Sequence, residues 1–174
     1  SFRKRKRDST DMNKLNHVAF IMDGNGRWGK KRNKSRNFGH SNGVKTVKKV
    51  VEYSIKLNIP IVTFYVFSTE NWKRPKTEVN FLFKLILRYF QKEINHLLSN
   101  DIKINIIGNL KKLPKKIRLI LKKTIRLTSK NKKIIVNLAI NYGSKDEIVN
   151  AAKIAKKKLS INSINKNIYT KNIP

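Results

Sequence analysis

The stretch that decides the fold is "IVTFYVFSTENWKRPK", residues 61–76. Its first seven residues are almost all apolar, β-branched or aromatic, with no polar alternation. So short a run is a strand, and a strand without alternation is buried on both faces, as in parallel sheets covered by helices. Asn58-Ile59-Pro60 stands just before it and breaks the preceding element. In that element Val44, Val47, Val50, Val51 and Ile55 recur at helical spacing, which predicts a helix over 41–57. Further back, "HVAFIM" (17–22) reads as another strand. In the other direction "STENWKRPK" (68–76) is a polar loop with proline. Thr77 is placed to cap a long helix that turns Phe81, Leu82, Leu85, Ile86, Tyr89, Phe90, Ile94 and Leu97 inward.

The alternation continues to the end of the chain. "IKINIIG" (102–108) is a strand, "LPKKIRLILKKTIRLT" (113–128) a helix with proline near its start, and "KIIVNLAINY" (133–142) a strand. A helix follows from about Asp146 to Leu159, and "SINSINKNIYTKNIP" is weakly patterned. Alternating strands and helices call for an α/β fold: an open, mostly parallel sheet with helices packed around it. No repeat or linker divides the chain, so 15–174 is expected to be one domain behind a basic, solvated tail at 1–14.

Such sheets carry their chemistry just beyond the carboxyl ends of the strands. Three segments meet that description: Asp23-Gly24-Asn25-Gly26-Arg27-Trp28, Ser68-Thr69-Glu70-Asn71-Trp72-Lys73-Arg74, and Asn141-Tyr142-Gly143. Gly24 and Gly26 leave backbone N–H groups open to an anion. Arg27 can fork two phosphate oxygens, and Arg36 and His40, four residues apart, can share one face of a helical turn. Asp23 and a diphosphate repel each other unless a cation lies between them, which implies Mg²⁺. The competing reading of "DGNG" is a hairpin turn, but "RWGKKRNKSR" makes a poor return strand. For Trp28 and Trp72 the competing reading is core packing.

Composition bounds the remaining possibilities. Of 174 residues, 39% are hydrophobic and none is cysteine, which excludes disulfides and thiolate chemistry. No apolar run reaches the roughly 18 residues of a membrane span. The basic start "SFRKRKRDST" lacks the apolar segment of a signal peptide. Zinc-ligand spacing, a P-loop, a dinucleotide fingerprint and a nucleophile elbow are all absent. Lysine and arginine total 41 against 10 acids, a formal charge of +31. That excess points either to a polyanionic partner or to a surface composition rich in lysine, asparagine and isoleucine. A nucleic-acid module would interleave aromatics with arginines along one exposed face. Here both tryptophans sit in the strand-end loops instead, and no specific nucleic acid is expected.

The motifs "HVAFIMDGNGRWGKK", with Arg36, His40 and Gly43 following, then "FYVFSTENWKRP..EV" and "NLAINYG", resemble those of cis-prenyltransferases, nearest the bacterial undecaprenyl diphosphate synthase type. The resemblance implies a parallel sheet whose helices enclose a hydrophobic tunnel. It also implies repeated addition of isopentenyl diphosphate to farnesyl diphosphate, Mg²⁺ as cofactor and a homodimer. By the same resemblance Asp23 engages the metal and the diphosphate, and Asn71 assists proton removal. Gly24, Asn25, Gly26 and Arg27 cradle the allylic diphosphate with Arg36, His40 and Arg74, and Trp28, Ser68, Thr69, Glu70 and Trp72 flank the pocket. Leu82, Leu85, Ile86, Val66 and Ile134 are candidates for the tunnel wall.

Two departures stand out. Ser144 and Lys145 replace the glycine and arginine usual after "NYG". The chain also stops at "YTKNIP", where the family continues to the residues that hold isopentenyl diphosphate, a second metal-binding glutamate and much of the dimer surface. The expectation is therefore a chain-elongating enzyme in the cytoplasm, in peripheral contact with the inner face of the membrane. The alternatives are a non-catalytic partner subunit or an inactive, C-terminally incomplete fragment.

Overall fold

The computed structural model describes residues 15–155 and 159–171; the expected basic tail at 1–14 lies outside them. Four strands, β1 (His17–Ile21), β2 (Ile61–Ser68), β3 (Ile102–Ile107) and β4 (Ile134–Tyr142), form one sheet in the order β1-β2-β4-β3. Every neighbouring pair is parallel. All four carboxyl ends therefore lie along one edge.

β2 and β4 are the central strands, and they carry the least alternation. Val62, Phe64, Phe67, Ile134 and Ile140 are essentially inaccessible. On one side of the sheet they pack with Val51 of α2 (Arg36–Lys56), Val79, Phe83, Phe90 and Leu97 of α3 (Lys76–Ser99), and Ile117 and Leu121 of α4 (Lys115–Leu127). The other side carries a polar rung across all four strands. Asn105 Nδ2 donates to Asn137 Oδ1 at 2.9 Å, Asn137 Nδ2 donates to Thr63 Oγ1 at 3.1 Å, and His17 Nε2 lies 2.7 Å from Thr63 Oγ1. Asn137 is fully buried, and the rung satisfies its amide, as a buried polar group requires.

Several expected boundaries move. The second helix starts at Arg36 rather than Ser41, because Ser35 supplies the cap: its Oγ accepts from the Phe38 N–H at 3.1 Å. The loop 68–76 contains a 3-10 turn over Thr69–Lys73. α3 starts at Lys76 behind Pro75, so Thr77 is inside the helix and does not cap it. Phe83 and Val79 replace Phe81 in the buried stripe, and Leu85 faces a cavity. A short helix α1 (Asn25–Lys30) follows β1 directly, α5 spans Ser144–Ala155, and α6 (Ile161–Asn165) forms within the weakly patterned end. The far end expected for the 146–159 helix falls partly outside the described residues.

Candidate active site

The turn after β1 depends on glycine. Gly24 has φ +82°, a conformation that side-chain-bearing residues rarely adopt. It turns the chain at once into α1, whose start lies against α2. A Cβ on Gly39 would stand 1.8 Å from the Asn25 carbonyl oxygen, and one on Gly43 would stand 2.8 Å from the Asn25 side chain. Two bare positions one helical turn apart on α2 therefore let Asn25 dock flush at the sheet edge.

Asp23 caps this turn on itself. Its Oδ1 accepts the Gly24 N–H at 2.6 Å, and its Oδ2 accepts from Arg27 Nη2 at 2.9 Å. Both side chains are mostly exposed. An exposed ion pair is worth about 0–1 kcal/mol, so Arg27 can exchange Asp23 for another anion at little cost.

The cationic residues converge on a carboxylate that sequence reasoning passed over. Glu78, buried in the first turn of α3, accepts from Arg36 Nε at 3.0 Å and Nη2 at 3.2 Å, from His40 Nε2 at 3.0 Å and from Arg74 Nη1 at 3.3 Å. Burial works to raise its pKa, but the hydrogen bonds from Arg36 and His40 and the nearby guanidinium charges outweigh it and hold the carboxyl below the usual range. His40 is pushed the other way. Burial lowers its pKa against the stabilising bond to Glu78, and Arg74 and Arg36 add to the lowering. A signal for Glu78 was present in the sequence: it stands four residues after Arg74, the spacing of a helical ion pair. Gly26 joins the same cluster, since a Cβ there would meet the Arg36 guanidinium at 2.8 Å.

Between α2, α3 and β2 lies a cleft of about 380 Å³. Its polar end holds Asp23, Asn25, His40, Ser68, Glu70, Asn71 and Arg74, and its depth is lined by Val44, Val47, Val66, Leu82, Leu85 and Ile86. Asn71 is fixed at the rim because its Oδ1 accepts the Ser68 N–H at 3.0 Å, which leaves its amide NH₂ as the group free to donate. Ile134 does not belong to this wall. It begins β4, at the end of the strand away from the site, and is fully buried in the core.

The structure does not bring every candidate to the cleft: Gly24, Gly26, Arg27 and Arg36 stand beside it without lining it, and Trp28, Thr69 and Trp72 turn elsewhere. Trp28 stacks on Phe38 with ring centres 5.9 Å apart, and the Arg32 guanidinium lies 4.0 Å over it. Trp72 turns into the core edge against Phe67 and Phe83, and its indole N–H donates to Asn141 Oδ1 at 2.8 Å. Asn141 therefore serves to anchor the 3-10 turn. Thr69 lines a separate polar cavity of about 180 Å³ with Asn109, Gly143 and Asp146.

Asp23 offers one hard carboxylate at the mouth, and among the described residues no three His, Asp or Glu side chains gather to hold a metal. Such a site fits Mg²⁺, which is commonly bound by one or two carboxylates together with substrate phosphate oxygens and water. It does not fit a metal caged by protein alone.

Comparison with known proteins agrees with this geometry. The prenyltransferase family model for undecaprenyl diphosphate synthase matches residues 21–174. An isoprenyl transferase of Clostridium tetani is 43% identical over 168 residues, covering 91% of this chain and 66% of that protein. The ditrans,polycis-undecaprenyl-diphosphate synthase ((2E,6E)-farnesyl-diphosphate specific) of Haemophilus influenzae is 40% identical, over 93% of this chain and 69% of its own. Among solved structures, lavandulyl diphosphate synthase from Lavandula x intermedia, in complex with dimethylallyl diphosphate, superposes with a TM-score of 0.86 at 29% identity. That match covers 92% of this chain and 73% of the other. A "probable undecaprenyl diphosphate synthase" from Campylobacter jejuni gives 0.75 at 36%, over 91% and 71%. The chain spans from half to about two thirds of the length of the first curated relatives it matches. With the motifs in order, the sheet parallel and the family model matched almost throughout, the chain belongs to the undecaprenyl diphosphate synthase type of the prenyltransferase family.

Proposed function

We propose that the cleft binds an allylic diphosphate, farnesyl diphosphate in the first instance, for cis elongation with isopentenyl diphosphate. The observation that carries this reading is the cleft's polarity. Polar side chains, Asn25, His40, Asn71, Arg74 and the metal-ligand type carboxylate Asp23 among them, line one end and aliphatic side chains the other, as a molecule with a metal-bound diphosphate head and a hydrocarbon tail requires.

Each residue then has a chemical task. Arg27 leaves its exposed pair with Asp23, and Arg36 and Arg74, already aligned by Glu78, add guanidinium charge where the leaving diphosphate accumulates negative charge. His40 holds the Glu78 carboxylate through Nε2, and burial, which lowers its pKa, limits the positive charge it adds beside its arginine neighbours. Val44, Val47, Leu82, Leu85 and Ile86 exclude water from the carbocation that remains when the allylic C–O bond breaks. The condensing alkene then loses a proton, which the departing diphosphate or a weak base at the rim beside Asn71 accepts. Mg²⁺, held through Asp23, supplies charge neutralisation of the diphosphate when bound. The family's homodimer is the assembly proposed for the active protein.

The test is product formation from farnesyl and isopentenyl diphosphates with Mg²⁺, for the protein and its Asp23→Ala variant. Long-chain polyprenyl diphosphate from the parent and a loss of about 100-fold or more in the variant are expected. If a folded, dimeric parent releases no product, the reading fails for this chain, which is then a non-catalytic partner or an inactive fragment.

A further inference from the structure

The excess positive charge is not spread evenly over the helices. α2 and α3 carry acids among their cations, and Lys48 of α2 is paired with Glu93 of α3 at 2.8 Å. α4 has no acid at all. Its 13 residues, KKIRLILKKTIRL, include Lys115, Lys116, Arg118, Lys122, Lys123 and Arg126. None of these six lies within 4.0 Å of a carboxylate among the described residues. The inner stripe of the helix is Ile117, Leu121 and Thr124, all buried. The outer stripe runs Lys115, Leu119, Lys122, Arg126, with Lys116 and Lys123 beside it, and Leu119 is 58% exposed at its centre. Lys111 and Lys112, also exposed, lead into it.

We propose that the outer face of α4 is a docking surface for anionic lipid. A helix with one stripe in the core, an unbroken cationic face and a large aliphatic side chain among the cations has the make-up of an element that lies in a membrane interface, lysines reaching for headgroups and leucine entering between them. Free polyanions would use the charge and have no use for Leu119. The position also suits a membrane. β3 is parallel to its neighbours, so its carboxyl end, Lys111, Lys112 and the start of α4 lie on the same sheet edge as the cleft mouth. No helix among the described residues is long and apolar enough to cross a bilayer, so contact of this kind is peripheral. The proposal does not depend on the chemistry of the cleft, and its test requires no turnover.

The full chain is sedimented with vesicles of phosphatidylcholine alone and of phosphatidylcholine with about 30% phosphatidylglycerol. Three variants accompany it: Lys115, Lys116, Lys122 and Lys123 all to Gln; Lys45, Lys49, Lys84 and Lys92 all to Gln; and Leu119→Ser. The second removes equal charge from exposed positions of α2 and α3. Each cation close to an anionic surface contributes about fivefold. The α4 variant should therefore lose about 100-fold or more in partition to anionic vesicles, and the α2/α3 variant less than about 10-fold. Leu119→Ser should weaken vesicle binding several-fold and leave binding to duplex DNA unchanged. All nine altered side chains across the set are solvent-facing, so circular dichroism and melting should match the parent.

Equal losses in both lysine variants would overturn the proposal, because net charge alone would then account for binding. So would equal sedimentation with neutral vesicles. Leu119→Ser without effect on vesicles, with DNA bound as tightly as lipid, would make the face a general polyanion site and overturn it as well.

Discussion

Glu78 shows how one buried carboxylate organises a cationic site. Without it, the Arg36 and Arg74 guanidinium groups would repel each other across the gap between α2 and α3. With it, both are held by hydrogen bonds of 3.0–3.3 Å, and His40 is bound to the same carboxylate at 3.0 Å. Glu78→Gln keeps an acceptor but removes the charge. Arg36 and Arg74 are 44% and 32% exposed, so water compensates in part and the expected loss is about 1–3 kcal/mol in urea unfolding. The same substitution removes the contributions that raise the His40 pKa, so its imidazole should titrate lower still, as read by NMR. An unmoved His40 titration would refute the hub.

Protonation gives a second residue-scale prediction. His40 sits below its ordinary 6.5 when folded, so on acidification the unfolded chain takes up that proton first. Stability is therefore full above pH 6.5 and falls as pH drops below it. Glu78, held below its ordinary 4.5, adds a further loss below that value. Melting temperature followed from about pH 8 to about pH 2.5 should show both phases, and His40→Gln should remove the upper one alone.

At the scale of elements, the contact between α1 and α2 sets the site. Gly39→Ala would drive a methyl group into the Asn25 backbone, and neither partner is a flexible side chain that could yield. The expected cost is about 1–3 kcal/mol, together with displacement of the Asp23 turn. Weakened diphosphate binding at temperatures where the variant is still folded is the measurement that separates the two effects. The walls of the cleft are tested from the other direction. Leu85→Trp, on α3, fills the aliphatic depth and leaves the rim intact. Affinity for farnesyl diphosphate should fall about tenfold or more while inorganic diphosphate binds as before, in isothermal titration. Equal losses for both ligands would mean that the tail does not enter this cleft.

Across the whole molecule, 41 basic residues face 10 acidic ones. Four ion pairs made by Arg or Lys link the described residues, and two of them share Glu78. Most of the charge is therefore unneutralised, and the folded state concentrates it. Salt shortens the range of that repulsion from about 14 Å at 0.05 M to about 4 Å at 0.5 M. Melting temperature should rise over this interval, opposite to the trend for a protein held together by surface pairs. A falling melting temperature would mean that the ion pairs outweigh the excess charge.

The sequence by itself determined the class of fold, because unbroken apolar runs such as 61–67 have nowhere to go but a sheet covered by helices. It also located the strand-end segments of the site, since Asp-Gly-Asn-Gly-Arg and Ser-Thr-Glu-Asn-Trp each follow a strand that parallel pairing brings to one edge. The α2 start was less legible, because Ser35 is a cap only once Phe38 turns its N–H back onto it. Tertiary structure alone decided which site residues share the cleft. Trp28 and Trp72 stand in the same strand-end segments as Asp23 and Asn71, yet one stacks on Phe38 and the other hydrogen-bonds Asn141. Glu78 belongs to the site although it lies beyond both loops. Sequence spacing fixes which residues lie near one another along a chain, whereas side-chain direction depends on the neighbours that packing supplies from elsewhere.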